Sequence, residues 1–299
     1  MSKRTLAILA AIGATVIYGI NHTLAKGVMP THVKPFGFIF LRVVGAALLF
    51  WFISLFGPKE KIEKRDWGRM LVCALLGMSI NMLSFFKGLQ LSTPINSAVL
   101  VTITPIIVVI ISALFLKEKI TLNKGLGIFL GFVGAVGLIL FGAEARQNAP
   151  NIPLGNFLFI INASSYGAYL VVVKKLIEKY HPFTLMKWLF TIGVVINLPL
   201  TLPEALEIQW STMPLWAYGS VAFVVIGTTF LTYLFNIFAL TQLKASSVGA
   251  FVYMQPLVGI LFALFAGKDE LTMVKMAAMA FVLVGVYLAS KKPKRISQY

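Results

Sequence analysis

The side chains of this chain that could do chemistry are few, and they lie in apolar surroundings. Arg42 falls seven residues after Pro35 in an otherwise uncharged stretch. At the helical rise of 1.5 Å per residue that places it roughly 10 Å down a helix. Lys187, five residues after Pro182, is its counterpart later in the chain, and Lys87 stands between Phe86 and Gly88. Such bases either snorkel to headgroups or meet a substrate carboxylate or a backbone carbonyl. His22 is the one histidine inside an apolar run, and with Arg42 it is a candidate proton or anion contact. Uncharged polar and aromatic groups recur beside them: Tyr18, Asn21, Asn81, Ser84, Phe85, Ser97, Asn162, Ser165, Tyr166, Tyr169, Thr229, Tyr233, Asn236, Tyr253 and Gln255. In lipid each of these either bonds between helices or faces a wet cavity. Lys87 and the set Tyr18, Asn21, Asn81, Phe85, Ser97, Asn162, Tyr166, Tyr169, Tyr233, Asn236 and Tyr253 are the expected substrate contacts. Pro105 and Pro256 remove a backbone donor inside charge-free runs and are the expected hinges.

What is missing narrows the chemistry further. All ten acids fall in predicted loops or at helix ends, so no embedded carboxylate is available to bind a proton or an organic cation. The three histidines, at 22, 32 and 181, form no His-Glu-x-x-His, and the single Cys73 has neither a disulfide nor a metal partner. An intramembrane enzyme therefore lacks its means, and no metal or cofactor is expected. No P-loop is present, so no nucleotide is expected to supply energy. A receptor or scaffold is the other alternative, although no long loop offers a partner surface and no obligate protein partner is evident.

The elements that must position these residues are membrane helices. Apolar residues make up 59% of the 299 and charged residues 12%, and windows such as Ala98–Phe115, Gly125–Phe141 and Ala245–Ala266 carry no charge at all. Each can span about 30 Å of hydrocarbon. The expected helices lie near 5–26, 36–56, 68–90, 94–115, 122–142, 153–173, 182–202, 214–240, 245–266 and 271–290. The net charge of +16 is not a nucleic-acid footprint, because the bases alternate with topology. Segments at 3–4, 59–69, 117–124, 174–179, 244 and 291–295 hold most of them, while the intervening segments hold only Lys26, Lys34, Arg146, Lys268 and Lys275. The positive-inside rule then puts both termini in the cytoplasm.

The chain also repeats itself. At an offset of 151, Leu89, Val101, Pro105, Lys117, Thr121, Lys124 and Gly134 meet Leu240, Val252, Pro256, Lys268, Thr272, Lys275 and Gly285. Tyr18-Gly19 and Lys26 meet Tyr166-Gly167 and Lys174 at 148, and Pro35-Phe36 meets Pro182-Phe183 at 147. Five spans per copy is an odd number, so the second copy enters the membrane from the opposite side. The expected fold is an all-α integral membrane protein of ten transmembrane helices, in two inverted five-helix repeats covering 1–143 and 144–299. Inverted repeats are a common route to alternating access. Gly127, Gly131 and Gly134 lie on one helical face and read as close helix packing.

Tyr18-Gly19-Ile20-Asn21 with Lys26, Arg42, the two helix prolines and the acidic turns Lys117-Glu118-Lys119 and Lys268-Asp269-Glu270 resemble the EamA-like branch of the drug/metabolite transporter superfamily, over essentially the whole chain. Phe115–Glu118 departs from that pattern, with Phe-Leu-Lys-Glu where Leu-Gly-Glu is commoner. The resemblance implies ten helices in a cytoplasmic or inner membrane, both termini inside, and a central cavity lined by helices 1, 3, 4, 6, 8 and 9. It further implies export of a small-molecule metabolite. The bases without embedded acids favour a neutral or zwitterionic solute, such as an amino acid, over a bare cation.

Overall fold

The computed structural model describes residues 2–101, 103–104, 106–107, 110–111, 114, 122–141, 149–242 and 254–290. The helical runs are α1 (Lys3–Val28), α2 (Pro35–Ser54), α3 (67–91), α4 (Pro94–Val101), α5 (Leu122–Phe141), α6 (Ile152–Ile177), α7 (Pro182–Leu206), α8 (215–242), α9 (Gln255–Phe265) and α10 (Met273–Ser290). Six stretches are long and apolar enough to cross a membrane: Lys3–Val28, Pro35–Ser54, Lys64–Leu91, Ile152–Ile177, Pro182–Leu206 and Leu215–Asn236. Large apolar side chains such as Leu48, Phe52, Phe129, Phe132, Val195 and Phe265 face outward, which only a lipid surround tolerates on this scale. The five tryptophans sit at the two ends of the bundle. Trp51, Trp67 and Trp188 pack together at one end, while Trp210 and Trp216 flank the turn from α7 to α8 at the other. Aromatic belts of this kind mark the two interfaces of a multi-pass membrane protein.

The helix starts follow local chemistry. Ser2 accepts from the Thr5 amide to open α1, and Pro35 and Pro182 occupy the first turns of α2 and α7, where their missing N–H costs nothing. These two helices pack antiparallel along their lengths, and each has its start held by a carboxylate, one from the last turn of α7 and one from the connection after α2. Glu204 accepts from the amides of Phe36 (2.6 Å) and Gly37 (3.1 Å), and Glu60 accepts from the His181 amide (2.8 Å). The apolar run predicts that α7 stops near 202. It continues through Pro199 and Pro203 to Leu206, because Glu204 and the Lys34–Glu207 ion pair fasten its last turn to α2.

Several helix pairings recur between the earlier and the later helices. Alongside α2 with α7, α5 packs on α10 and α4 on α9; α3 with α6 is matched by α8 with α1, and α2 with α8 by α7 with α3. Glycine permits the closest of these approaches. A Cβ on Gly45 of α2 would meet Val225 Cγ1 of α8 at 2.4 Å, and one on Gly193 of α7 would meet Met78 Cβ of α3 at 2.8 Å. Between α5 and α10, Gly285 lies over the backbone of Gly127 and Gly131, so the glycine face read from the sequence is a packing face.

Candidate functional site

The centre of the bundle gathers Tyr18 from α1, Arg42 from α2, Tyr166 and Tyr169 from α6, and Tyr233 from α8. Tyr18, Tyr233 and Tyr166 lie close to Arg42, and Tyr169 lies close to Tyr233, Tyr166 and Tyr18. The rings of Tyr166 and Tyr169 stack at 5.7 Å, and Tyr233 meets Phe190 edge-on at 5.5 Å. Tyr18 lies beside Thr232, whose hydroxyl donates to the Thr228 carbonyl at 2.5 Å. Tyr18 and Tyr166 are the two tyrosines that the 148-residue sequence offset aligns.

Arg42 is buried, with only 8% of its surface exposed, so the snorkelling alternative for it is set aside. Its Nε donates to Thr229 Oγ1 at 2.6 Å and its guanidinium carbon lies 5.6 Å from the Phe86 ring centre. Burying an ion costs several kcal/mol even after relaxation. A charged hydrogen bond returns roughly 1.5–3 kcal/mol and a desolvated cation–π contact about 2 kcal/mol, so the pair of contacts roughly offsets that cost without a carboxylate. Lys187 behaves differently. It is half-buried over the ring of the exposed Trp51, at 4.7 Å, the position of a base at the membrane interface.

Two irregular helices frame the centre, and the sequence carried no signal for either. α3 is π-helical over Leu75–Ile80 and α8 over Phe223–Leu231, segments that begin 148 residues apart. Their loosened backbone is bonded by side chains. Ser165 donates to the Leu76 carbonyl (2.6 Å), Asn197 to the Met78 carbonyl (3.0 Å), and Thr229 to the Val224 carbonyl five residues back (3.0 Å). Such segments concentrate at functional sites. Thr232, Met78 and Asn197, which pattern reasoning passes over, are therefore part of the site's frame.

Other expected contacts are placed as follows. Asn81 and Asn162 donate to each other's backbone carbonyl, at 3.2 and 2.9 Å, and so tie α3 to α6. His22 Nδ1 lies 2.6 Å from Ser97 Oγ and its ring 5.5 Å from that of Phe85, which joins α1, α3 and α4 one helical turn along α1 from Tyr18. Asn21 is buried and its Oδ1 has no hydrogen-bond partner among the described residues. Lys87 is half-buried and donates to Gln90 Oε1 at 2.7 Å, on its own helix. Asn236 is half-buried on α8. Pro256 sits in the first turn of α9 as described; Pro105 and Tyr253 lie outside the described residues.

Two bases counted as loop charges turn out to be buried. Lys26 donates to the carbonyls of Leu89 (2.6 Å) and Gln90 (2.8 Å), closing the end of α3. Lys275 is 1% exposed and pairs with Asp269 at 2.7 Å, while the other oxygen of Asp269 accepts from the Ile95 amide at the start of α4. The acids among the described residues all lie at helix ends or in connections. At the end opposite Asp269, Lys179 bridges Asp66 and Glu63. The hydrogen bond from Lys179 holds the Glu63 carboxyl below the usual glutamate range despite some desolvation. At the other end, the hydrogen bond and charge of Glu207 raise Lys34.

Comparison with known proteins accords with this architecture. The sequence model of a family described as the EamA-like transporter family matches residues 5–140 and, a second time, residues 153–291. An uncharacterized transporter of Archaeoglobus fulgidus is 27% identical over 260 residues, covering 87% of this chain and 90% of its own length. The uncharacterized transporter YyaM of Bacillus subtilis is 23% identical over 281 residues, with 93% and 92% covered. A solved crystal structure at 17% identity superposes with a TM-score of 0.64, covering 96% of this chain and 97% of that one, and shows likeness of fold alone.

Proposed function

The chain belongs to the EamA-like transporter family, and from that premise we propose that it is a secondary carrier exporting a small organic solute across the cytoplasmic membrane by alternating access. The observation that carries this reading is the Tyr18, Arg42, Tyr166, Tyr169 and Tyr233 group, built by helices of both halves and flanked by a π segment from each. A site shared by two copies of one unit can change its access when the copies exchange shapes. The reading takes the chain as ten spans in two inverted repeats, 1–143 and 144–299. It is supported by the exchanged helix pairings, by the twin contacts of Gly45 with Val225 and Gly193 with Met78, and by the double family match.

The solute is not a bare organic cation, since the described embedded residues offer a buried cation and no acid to receive one. Both termini face the cytoplasm in this reading. Single cysteines at 62 and 208 in a Cys73→Ala background test that orientation: an impermeant reagent outside should label 208 and spare 62. The opposite pattern overturns it. Transport itself is tested by counterflow in reconstituted vesicles loaded with a metabolite mixture, where Tyr166→Ala should lower the rate at least tenfold with expression matched. A rate unchanged by that substitution removes the central group from the pathway.

A further inference from the structure

Arg42 has one neutral hydrogen-bond partner for a group that carries five donors. Its Nε–H is taken by Thr229, and the four N–H groups of its terminal nitrogens have no partner among the described residues, although the side chain is more than nine-tenths buried. The described acids stand at the ends of the bundle, where their bonds go to Lys179, Lys275, Lys34 and the starts of α2, α4 and α7. The cation is thus left without a counter-charge among the described residues, and it is held in place rather than free to swing. Thr229 accepts from Arg42 while donating to Val224, so the π segment of α8 fixes the plane of the guanidinium.

We propose that the terminal fork of Arg42 binds the carboxylate of the transported solute, so that the substrates are small organic acids and amino acids bearing one free carboxylate. The reasons are geometric and chemical. A guanidinium fork matches a carboxylate with two parallel N–H···O bonds. The hydroxyls of Tyr166 and Tyr169, which have no hydrogen-bond partner among the described residues, are donors on the same wall. The stacked Tyr166–Tyr169 rings give the body of such a solute an aromatic bed. The inference rests on the carrier reading for the word transported, but the binding step stands by itself.

The test uses the purified full chain and matched probes: phenylacetate against phenylacetamide, and L-phenylalanine against L-phenylalaninamide, read by fluorescence titration and by the shift in apparent melting temperature. In the native protein at least one acid should bind tenfold or more tightly than its amide. Arg42→Gln should abolish that preference, and Arg42→Lys should retain part of it, because a point charge replaces a fork. A purely structural Arg42 would instead weaken acid and amide alike. If Arg42→Gln does not fold, Thr229→Val keeps the charge but releases its anchor, and the acid-to-amide ratio should fall at least threefold. Equal binding of acids and amides, no acid binding at all, or a ratio unchanged in the variants overturns the proposal. Arg42-dependent binding of an acid that never shows counterflow would leave this inference standing and sink the carrier reading; equal counterflow of acid and amide would do the reverse.

Discussion

Replacing Asp269 by asparagine should be among the most damaging single changes outside the central group. Its carboxylate is 2% exposed, pairs at 2.7 Å with a Lys275 that is 1% exposed, and caps α4 through the Ile95 amide at 3.0 Å. The carboxamide would keep the shape but has a single acceptor oxygen, so it can serve the Lys275 ammonium or the Ile95 amide and not both, and the ammonium loses its counter-charge beside the Glu270 carbonyl at 2.9 Å. Breaking a buried pair from one side costs about 3–5 kcal/mol, and weakening the cap adds up to about 1 kcal/mol, not additively because the groups touch. At about 2–4 °C per kcal/mol for chains of this general size, the apparent melting temperature should fall by about 6–20 °C. The assay is the monodisperse fraction of detergent-solubilised protein remaining after a heating series. The double variant Asp269→Leu with Lys275→Met should recover at least half of the loss, since removing both charges is nearly neutral. A drop of under about 2 °C for the single variant, or a double variant no better than the single, would refute this account of the turn between α9 and α10.

Gly45→Ala and Gly193→Ala should each cost about 1–3 kcal/mol through overpacking against Val225 and Met78, seen as lowered melting temperatures of similar size; a harmless Ala at either position would break the proposed symmetry of the two contacts. Pro105→Ala and Pro256→Ala should express normally yet transport poorly, and full activity in both would make those prolines tolerated kinks. Because Lys179 depresses the Glu63 carboxyl, the ion pair stabilises above the ordinary glutamate range and is lost as the pH falls through the lowered value. Glu63→Gln should therefore flatten the acid limb of a melting-temperature profile and change little at neutral pH, since the group is half exposed.

Helix positions were legible because hydrocarbon demands long uncharged runs, and α1, α2, α3 and α6 begin within two residues of where those runs predicted. The proposed repeat rests on the offsets that pair Tyr18 with Tyr166 and Pro35 with Pro182. Arg42 and the tyrosines could be nominated because a polar group inside an apolar run needs a reason. What pattern could not say was which nominee bonds to which. Asn81 and Asn162 looked like cavity residues and instead hold each other's backbones, and Lys26 and Lys275 looked like loop charges and instead close buried helix ends. The π segments left no trace in composition, because Leu75–Ile80 and Phe223–Leu231 are as apolar as any α-helical stretch. Their cause lies in Ser165, Asn197 and Thr229, each distant in sequence or five residues along.

The central claim is that one site faces both sides of the membrane in turn, and it can be measured without knowing the substrate. A single cysteine at position 166, in a Cys73→Ala background reconstituted in vesicles of known orientation, would be exposed to an impermeant thiol reagent from the outside in one sample and from the lumen in another. Alternating access predicts slow but complete labelling from either side, while dye trapped in the vesicles fails to leak. Labelling from one side only, however long the exposure, would contradict it.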